Sequence, residues 1–193
     1  MVRFDNRVWI FWAFLMMSIP LRWLICALIA ILIHELFHIS AIILLGGTVR
    51  GVRVTGSGIM IHAANIHGIT ELFCALAGPA GSLLLLLVIR YFPVLGLCGM
   101  IHGLFNLLPV YPLDGGRALK AALEYWMPDR AEQIYNFTEK IFLAALVYGF
   151  VYFSLRYHLG VFPIVFCVSM IVNAIVRKRL EKEVKSGYNS ATI

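Results

Sequence analysis

The chain has 193 residues, of which 61% are hydrophobic and 13% are charged, and its mean hydropathy is +0.88. This composition excludes an ordinary soluble domain and indicates a single polytopic membrane domain. The formal net charge of +6 would suit a nucleic-acid binder, but the order of the basic residues along the chain fits membrane topology instead.

About 20 apolar residues cross a bilayer as a helix. Six apolar segments are predicted as spans, and they cover residues 4–21, 23–45, 70–91, 93–109, 137–157 and 160–176. We therefore expect an α-helical polytopic membrane protein with about six transmembrane helices. Residues 1–193 are expected to form one membrane-embedded domain with its core at 23–125, and residues 177–193 a short cytosolic tail.

Between the second and third spans, residues 48–63 read TVRGVRVTGSGIMIHA. The spacing of the valines and isoleucines predicts two short strands that turn at 56–58, which is a β-hairpin. Its exposed edge could pair with an extended peptide. The alternative is a surface hairpin that only connects two helices, and the sequence leaves both interpretations open.

The basic residues predict the orientation of the spans. If the N-terminus is cytosolic and there are six spans, thirteen of the sixteen Lys and Arg residues lie on the cytosolic side. The outer loops hold only Arg22, Arg90 and Arg156. We therefore expect a multi-pass membrane protein, in a bacterial cell membrane, with both termini cytosolic and with no nucleic acid among its partners.

The second predicted span contains the sequence His34-Glu35-Leu36-Phe37-His38. Two histidines four residues apart on a helix project from one face and can share one zinc ion, with Glu35 beside them as the base. Ionisable groups are costly inside an apolar span and therefore indicate function. The alternative is that the three polar residues pack one helix against another.

The fourth span runs in the same direction as the second, so Asp114 after its end is expected at the same side of the membrane as His34 and His38. Two histidines and one carboxylate leave a position open for water, which is typical of a catalytic zinc site with one ion per chain. The alternative role for Asp114 is a turn residue before Gly115 and Gly116.

Two further polar residues precede this turn. Asn106 could hydrogen-bond the substrate backbone or the developing oxyanion, or it could pack between helices, and residue chemistry alone does not separate these roles. His102, one helical turn earlier, is predicted to be a packing or interface histidine.

This set of residues predicts a zinc metalloendopeptidase that hydrolyses a peptide bond in a membrane-embedded substrate. Zinc would polarise the scissile carbonyl, while Glu35 would take a proton from water and pass it to the leaving amine. The alternatives are a membrane metal transporter and a catalytically silent membrane binding protein. A transporter should show ligands on a second helix and repeat symmetry, and a silent protein has no need for Glu35.

Three motifs resemble those of the site-2 proteases, the intramembrane zinc metalloproteases of peptidase family M50. They are HELFH, ALAGPAGS at 75–82 and NLLPVYPLDGGR at 106–117, and the resemblance runs from about residue 23 to 125. It implies that His34, His38 and Asp114 are the ligands, Glu35 the base and Asn106 a substrate contact. It also implies cleavage of a partly unwound transmembrane segment near the cytosolic face.

The six-span plan and short hairpin look most like the branch of stage IV sporulation protein FB. That resemblance implies regulated intramembrane proteolysis of a sigma-factor precursor or an anti-sigma factor, with a membrane regulatory protein as a candidate partner. Only sixteen residues follow residue 177, so we expect no nucleotide-sensing CBS domain of the kind that some relatives have. Ser82 stands where many relatives have Asn.

Overall fold

The computed structural model describes residues 2–4, 20–55, 58–157 and 172. Within these ranges the chain is mostly helical, with one small sheet, which confirms the predicted helical class and the hairpin. The predicted spans at 4–21 and 160–176 lie almost entirely outside the described residues, so the number of six spans stays a prediction.

The first described helix, α1, covers Leu21–Leu44 and carries the HELFH motif. Its continuous apolar sequence makes it long and apolar enough to cross a bilayer. It ends because Gly46 adopts a positive φ of 82°. The N–H groups of Gly46 and Gly47 then donate to the carbonyls of Ile43 and Ile42, a Schellman motif that satisfies the last turn.

A three-stranded sheet follows, with the strand order β1-β2-β3. Strand β2 covers Thr48–Thr55 and β3 covers Gly58–Ala64, and they pair antiparallel with an irregularity between Val49 and Gly51. Strand β1, Val2–Phe4, pairs parallel with β2. The sequence did not predict β1, and it placed Phe4 at the start of the first span instead of in a strand.

Helix α2 covers Ile69–Leu84 and continues as a 3₁₀ helix over Leu85–Val88, in agreement with the third predicted span. Helix α3 covers Pro93–Asn106 and is shorter. Together α2 and its 3₁₀ extension are long and apolar enough to cross a bilayer, whereas α3 falls below that length. Helix α2 packs against both α1 and α3 and therefore lies at the centre of the described helices.

After α3, residues 107–113 lead into helix α4, Asp114–Trp126, which is amphipathic and packs on α2. The sequence did not predict α4. A 3₁₀ turn, Pro128–Arg130, then leads into helix α5, Ala131–Tyr157, which packs on α4. Helix α5 is the third described helix that is long and apolar enough to span a membrane.

Small residues of α2 let it approach α1 closely. The buried residues of α1 include a stripe of four, Ala30, His34, His38 and Ile42, which are four residues apart. The facing stripe of α2 is Cys74, Gly78 and Ser82, again four apart. Small side chains at this spacing let two helix backbones approach closely, and the two histidines fill the space between them.

Candidate metal centre

The structure brings three ligand atoms from two distant parts of the chain to one point. Nε2 of His34 lies 2.8 Å from Oδ2 of Asp114, and Nε2 of His38 lies 3.1 Å from the same oxygen. The two Nε2 atoms are 3.1 Å apart. All three side chains are buried. Within the described part of the chain, His34, His38 and Asp114 form a group that could hold a metal ion.

The size of this triangle fits a zinc site. Zinc binds imidazole nitrogen and carboxylate oxygen at about 2.0–2.1 Å in a tetrahedron, which places neighbouring ligand atoms about 3.3 Å apart. The observed separations of 2.8–3.1 Å are slightly shorter than that. A cation among the three atoms therefore requires only a small outward movement of each ligand.

The hydrogen bonds of the two Nδ1 atoms show which nitrogen of each imidazole is left to bind a metal. Nδ1 of His38 lies 2.7 Å from the carbonyl oxygen of Cys74, which can only accept, so this nitrogen carries the proton. Nδ1 of His34 lies 2.9 Å from Oγ of Ser82. A neutral His38 therefore presents a lone pair at Nε2, and Ser82 allows His34 to do the same.

Lone pairs on both Nε2 atoms would face each other and a carboxylate oxygen, and a positive charge is needed between them. Protons on the imidazoles are one source. In that state burial raises the pKa of Asp114, but the hydrogen bonds from His34 and His38 outweigh burial and hold this pKa below its usual range. Two protonated rings, however, would direct both N–H groups at each other across 3.1 Å. A metal ion satisfies all three ligands with both rings neutral, so the residues present fit the metal.

Glu35 follows the first ligand on α1 and is partly exposed. It lies near enough to His38, Asp114 and Arg117 to interact electrostatically with each of them. Arg117 also places Nη1 3.7 Å from Oδ1 of Asp114, the oxygen that does not face the histidines. The carboxylate of Glu35 is therefore beside the ligand group without being one of its members.

The structure places His102 beside His34 and Asn106 beside His102, and neither belongs to the group that could hold a metal ion. The ring of His102 packs edge to face on His34, with the centroids 4.6 Å apart. Nδ2 of Asn106 donates to the backbone carbonyl of His102 at 3.0 Å and lies 3.3 Å from its Nε2. His102 also lines an apolar groove of about 250 Å³ between α1 and α3.

Several groups that support the ligands were not identified as such from the sequence. Ser82 and the carbonyl of Cys74 hold the two Nδ1 atoms, and a Cβ at Gly78 would overlap the ring of His38. The signal was present as a stripe of small residues four apart in residues 74–82. A lone serine in an apolar helix more often serves packing, and therefore only the position of the histidines reveals its role.

Comparisons with known proteins show what the chain is similar to. The family model described as peptidase family M50 matches residues 58–146, a range that includes Asn106 and Asp114 and lies after the two histidines. A zinc metalloprotease of Methanocaldococcus jannaschii is 28% identical over 156 residues, which are 72% of this chain and 44% of that protein. The chain therefore spans less than half the length of this relative.

A comparison with solved structures adds a likeness in fold. A solved structure of the site-2 protease from Methanocaldococcus jannaschii superimposes with a TM-score of 0.65 and 21% sequence identity. The match covers 90% of this chain and 88% of that chain, so the two share their fold. The mostly helical architecture described above is thus the site-2 protease fold.

Proposed function

We propose that this protein is an intramembrane zinc metalloprotease that hydrolyses a peptide bond in a membrane-tethered protein. The observation that carries the proposal is the buried triangle of His34, His38 and Asp114 with Glu35 beside it. Two corners of that triangle come from α1, a helix long and apolar enough to cross a bilayer. The similarity to a zinc metalloprotease and to a site-2 protease structure supports the same assignment.

Zinc is the metal that this donor set suits best. Two imidazoles and one carboxylate are a donor set of known catalytic zinc sites, and three protein ligands leave one position for a reactant. His34 and His38 are each held by a hydrogen bond at Nδ1, the ring nitrogen that would not bind the metal, as is usual for histidine ligands. One ion per chain accounts for the three ligands.

In the proposed reaction, Glu35 transfers the proton and Asn106 contacts the substrate. The metal, when bound, lowers the pKa of water and polarises the scissile carbonyl. Glu35 takes the proton as water attacks the carbonyl carbon, and it passes that proton to the amide nitrogen as the C–N bond breaks. Asn106, one helical turn after His102, would contact the substrate backbone after its amide turns away from the carbonyl of His102.

The substrate class that fits best is a protein segment that enters the site from the membrane near the cytosolic face. Strand β3 is at one edge of the sheet among the described strands, and it could hold such a segment in the extended form that hydrolysis requires. A sigma-factor precursor or an anti-sigma factor is the kind of membrane-tethered substrate that the sequence resemblance suggests. Lipid bilayer and a membrane regulatory protein complete the proposed partners.

The experiment is co-expression of the full chain with a candidate membrane-tethered substrate that carries a tag at each end. We expect cleavage with the wild type and none with Glu35→Gln, because the amide cannot accept the proton. A matched control is Glu124→Gln, which changes an exposed carboxylate on α4 that pairs with Lys120. Equal cleavage by wild type and Glu35→Gln would contradict the proposed mechanism.

The same experiment separates the two alternative functions. A metal transporter would change the metal content of the cells without cleaving the substrate. A silent binding protein would retain the uncleaved substrate in both the wild type and the Glu35→Gln variant. Either result would replace the proposal of a protease.

A further inference from the structure

Glu139 is a buried carboxyl group that the proposed mechanism does not use. It lies on α5, one of the helices long and apolar enough to cross a membrane, and its exposed fraction is only 1%. Burying a carboxyl group is unfavourable unless hydrogen bonds replace those that water made to it. An ionisable residue buried in an apolar helix is therefore expected to have a specific role.

The partners of Glu139 come from two different segments. The hydroxyl of Tyr135, one turn earlier on α5, donates to Oε1 at 3.2 Å. The backbone N–H of Tyr111 donates to the same oxygen at 3.4 Å. Tyr111 belongs to residues 107–113, the segment that joins α3 to α4. Glu139 thus connects a spanning helix to the chain just before a metal ligand.

The segment with Tyr111 is packed tightly against the first turn of α4. A Cβ at Gly116 would lie 2.8 Å from the carbonyl carbon of Val110 and 3.0 Å from the backbone nitrogen of Tyr111. A Cβ at Gly115 would overlap the carbonyl oxygen of Leu107. With no space between the two backbones, a shift of the segment has to move the start of α4, where Asp114 is the first residue.

We propose that Glu139 is a positioning residue for the metal ligand Asp114, acting through the backbone of Tyr111 and the first turn of α4. This inference rests on the proposed metalloprotease function. It gives helix α5 a role in the metal centre although α5 contributes no ligand. Because the contact is made to a backbone N–H, the requirement is an acceptor at this place and not a particular charge.

The test uses the purified full chain in detergent, loaded with Co²⁺ in place of zinc. The d–d absorption of Co²⁺ reports ligand geometry, and competition with a chelator gives the metal affinity. Removal of a group hydrogen-bonded directly to a metal ligand lowers affinity by about 10- to 100-fold. Because Glu139 acts through the backbone, we expect a loss at the lower end of this range, about 10-fold, and a changed Co²⁺ spectrum in Glu139→Ala. The conservative variant Glu139→Gln keeps an acceptor and should bind metal like the wild type, with the same spectrum.

Two further variants keep the test decisive. Ser154→Ala removes another buried polar side chain from α5 and should leave both readouts unchanged. Glu139→Asp covers the case in which Glu139→Ala does not fold, because its shorter side chain withdraws the acceptor from Tyr111. It should bind metal more weakly than the wild type, with an altered spectrum.

The outcomes separate the two proposals. Wild-type affinity and spectrum in Glu139→Ala, or in Glu139→Asp where the alanine variant is unfolded, would overturn the positioning role and leave the proposed protease intact. Equal losses in Ser154→Ala and Glu139→Ala would also overturn it, since the effect would then belong to α5 in general. A wild-type chain that binds no metal would overturn both proposals.

Discussion

Ser82 and His34 face each other across the contact between α2 and α1, with 2.9 Å between the serine Oγ and the histidine Nδ1. Ser82 is completely buried, so water cannot replace its hydroxyl. For Nε2 of His34 to offer its lone pair to a metal, the proton must reside on Nδ1 and be donated to Ser82. A single hydroxyl on one helix can thereby hold the metal-binding form of a histidine on another.

Replacing Ser82 with alanine should weaken metal binding by about 10- to 100-fold, because the proton on Nδ1 of His34 loses its acceptor. Chelator competition on the purified protein measures the change. Ser40→Ala is the matched control, since Ser40 is an exposed serine on α1, and it should bind metal as the wild type does. Equal affinities for the two variants would show that the hydroxyl of Ser82 does not orient the ligand.

Gly78→Ala should abolish or severely reduce metal binding, because the added Cβ would overlap the imidazole of His38 and push it away from Asp114. The control is Gly149→Ala on α5, where an added Cβ meets no atom within 4 Å. This control should bind metal normally, and it should be slightly more stable because alanine is favoured over glycine in a helix by about 1 kcal/mol. The metal content of the two purified variants measures the difference. Normal metal content in Gly78→Ala would mean that α1 and α2 are farther apart than described.

Asp114→Ala and Glu35→Gln should separate metal binding from catalysis. Removing the Asp114 carboxylate takes one of three ligands, so bound zinc should fall to a small fraction of one per chain. Glu35 is not a ligand, so Glu35→Gln should retain zinc and lose cleavage. Elemental analysis of both purified variants measures this difference. Full zinc content in Asp114→Ala would exclude Asp114 as the third ligand.

Arg117→Ala should have a much smaller effect than the changes at the ligands. The guanidinium lies 3.7 Å from Oδ1 of Asp114, and its side chain is 42% exposed. Ion pairs of this kind contribute about 0–1 kcal/mol, which corresponds to a change of up to about fivefold in metal affinity. Chelator competition tests this limit. A loss comparable with that of Asp114→Ala would show that Arg117 is required to hold the carboxylate.

The meeting of His34, His38 and Asp114 could be predicted from the sequence because their geometry is local or follows from topology. A separation of four residues on a helix places His34 and His38 on one face whatever surrounds them. The position of Asp114 was predicted from two spans that run in the same direction, and the structure places this residue beside both histidines. The hairpin at 48–64 could be predicted from its alternating apolar residues and the glycines at its turn.

The supporting groups could not be predicted, since each depends on a contact between distant segments. Ser82 is 48 residues from His34. Tyr111, whose backbone N–H donates to Glu139, is 28 residues from that carboxylate. Helix α4 was missed because two prolines and two glycines around Asp114 suggested a longer irregular turn, whereas the helix begins at Asp114 itself. Strand β1 is three residues long and gains its structure only by pairing with β2.

The interlocked stripes of α1 and α2 restrict how these two helices can move relative to each other. Sliding α2 along α1 by one turn, about 5.4 Å, would put Cys74 or Ser82 where Gly78 now adjoins the ring of His38. Neither side chain would fit there, so the two helices are held in register. His34 and His38 therefore belong to a fixed pair of helices, and Asp114 is the one corner of the triangle that a separate element, α4, brings to it.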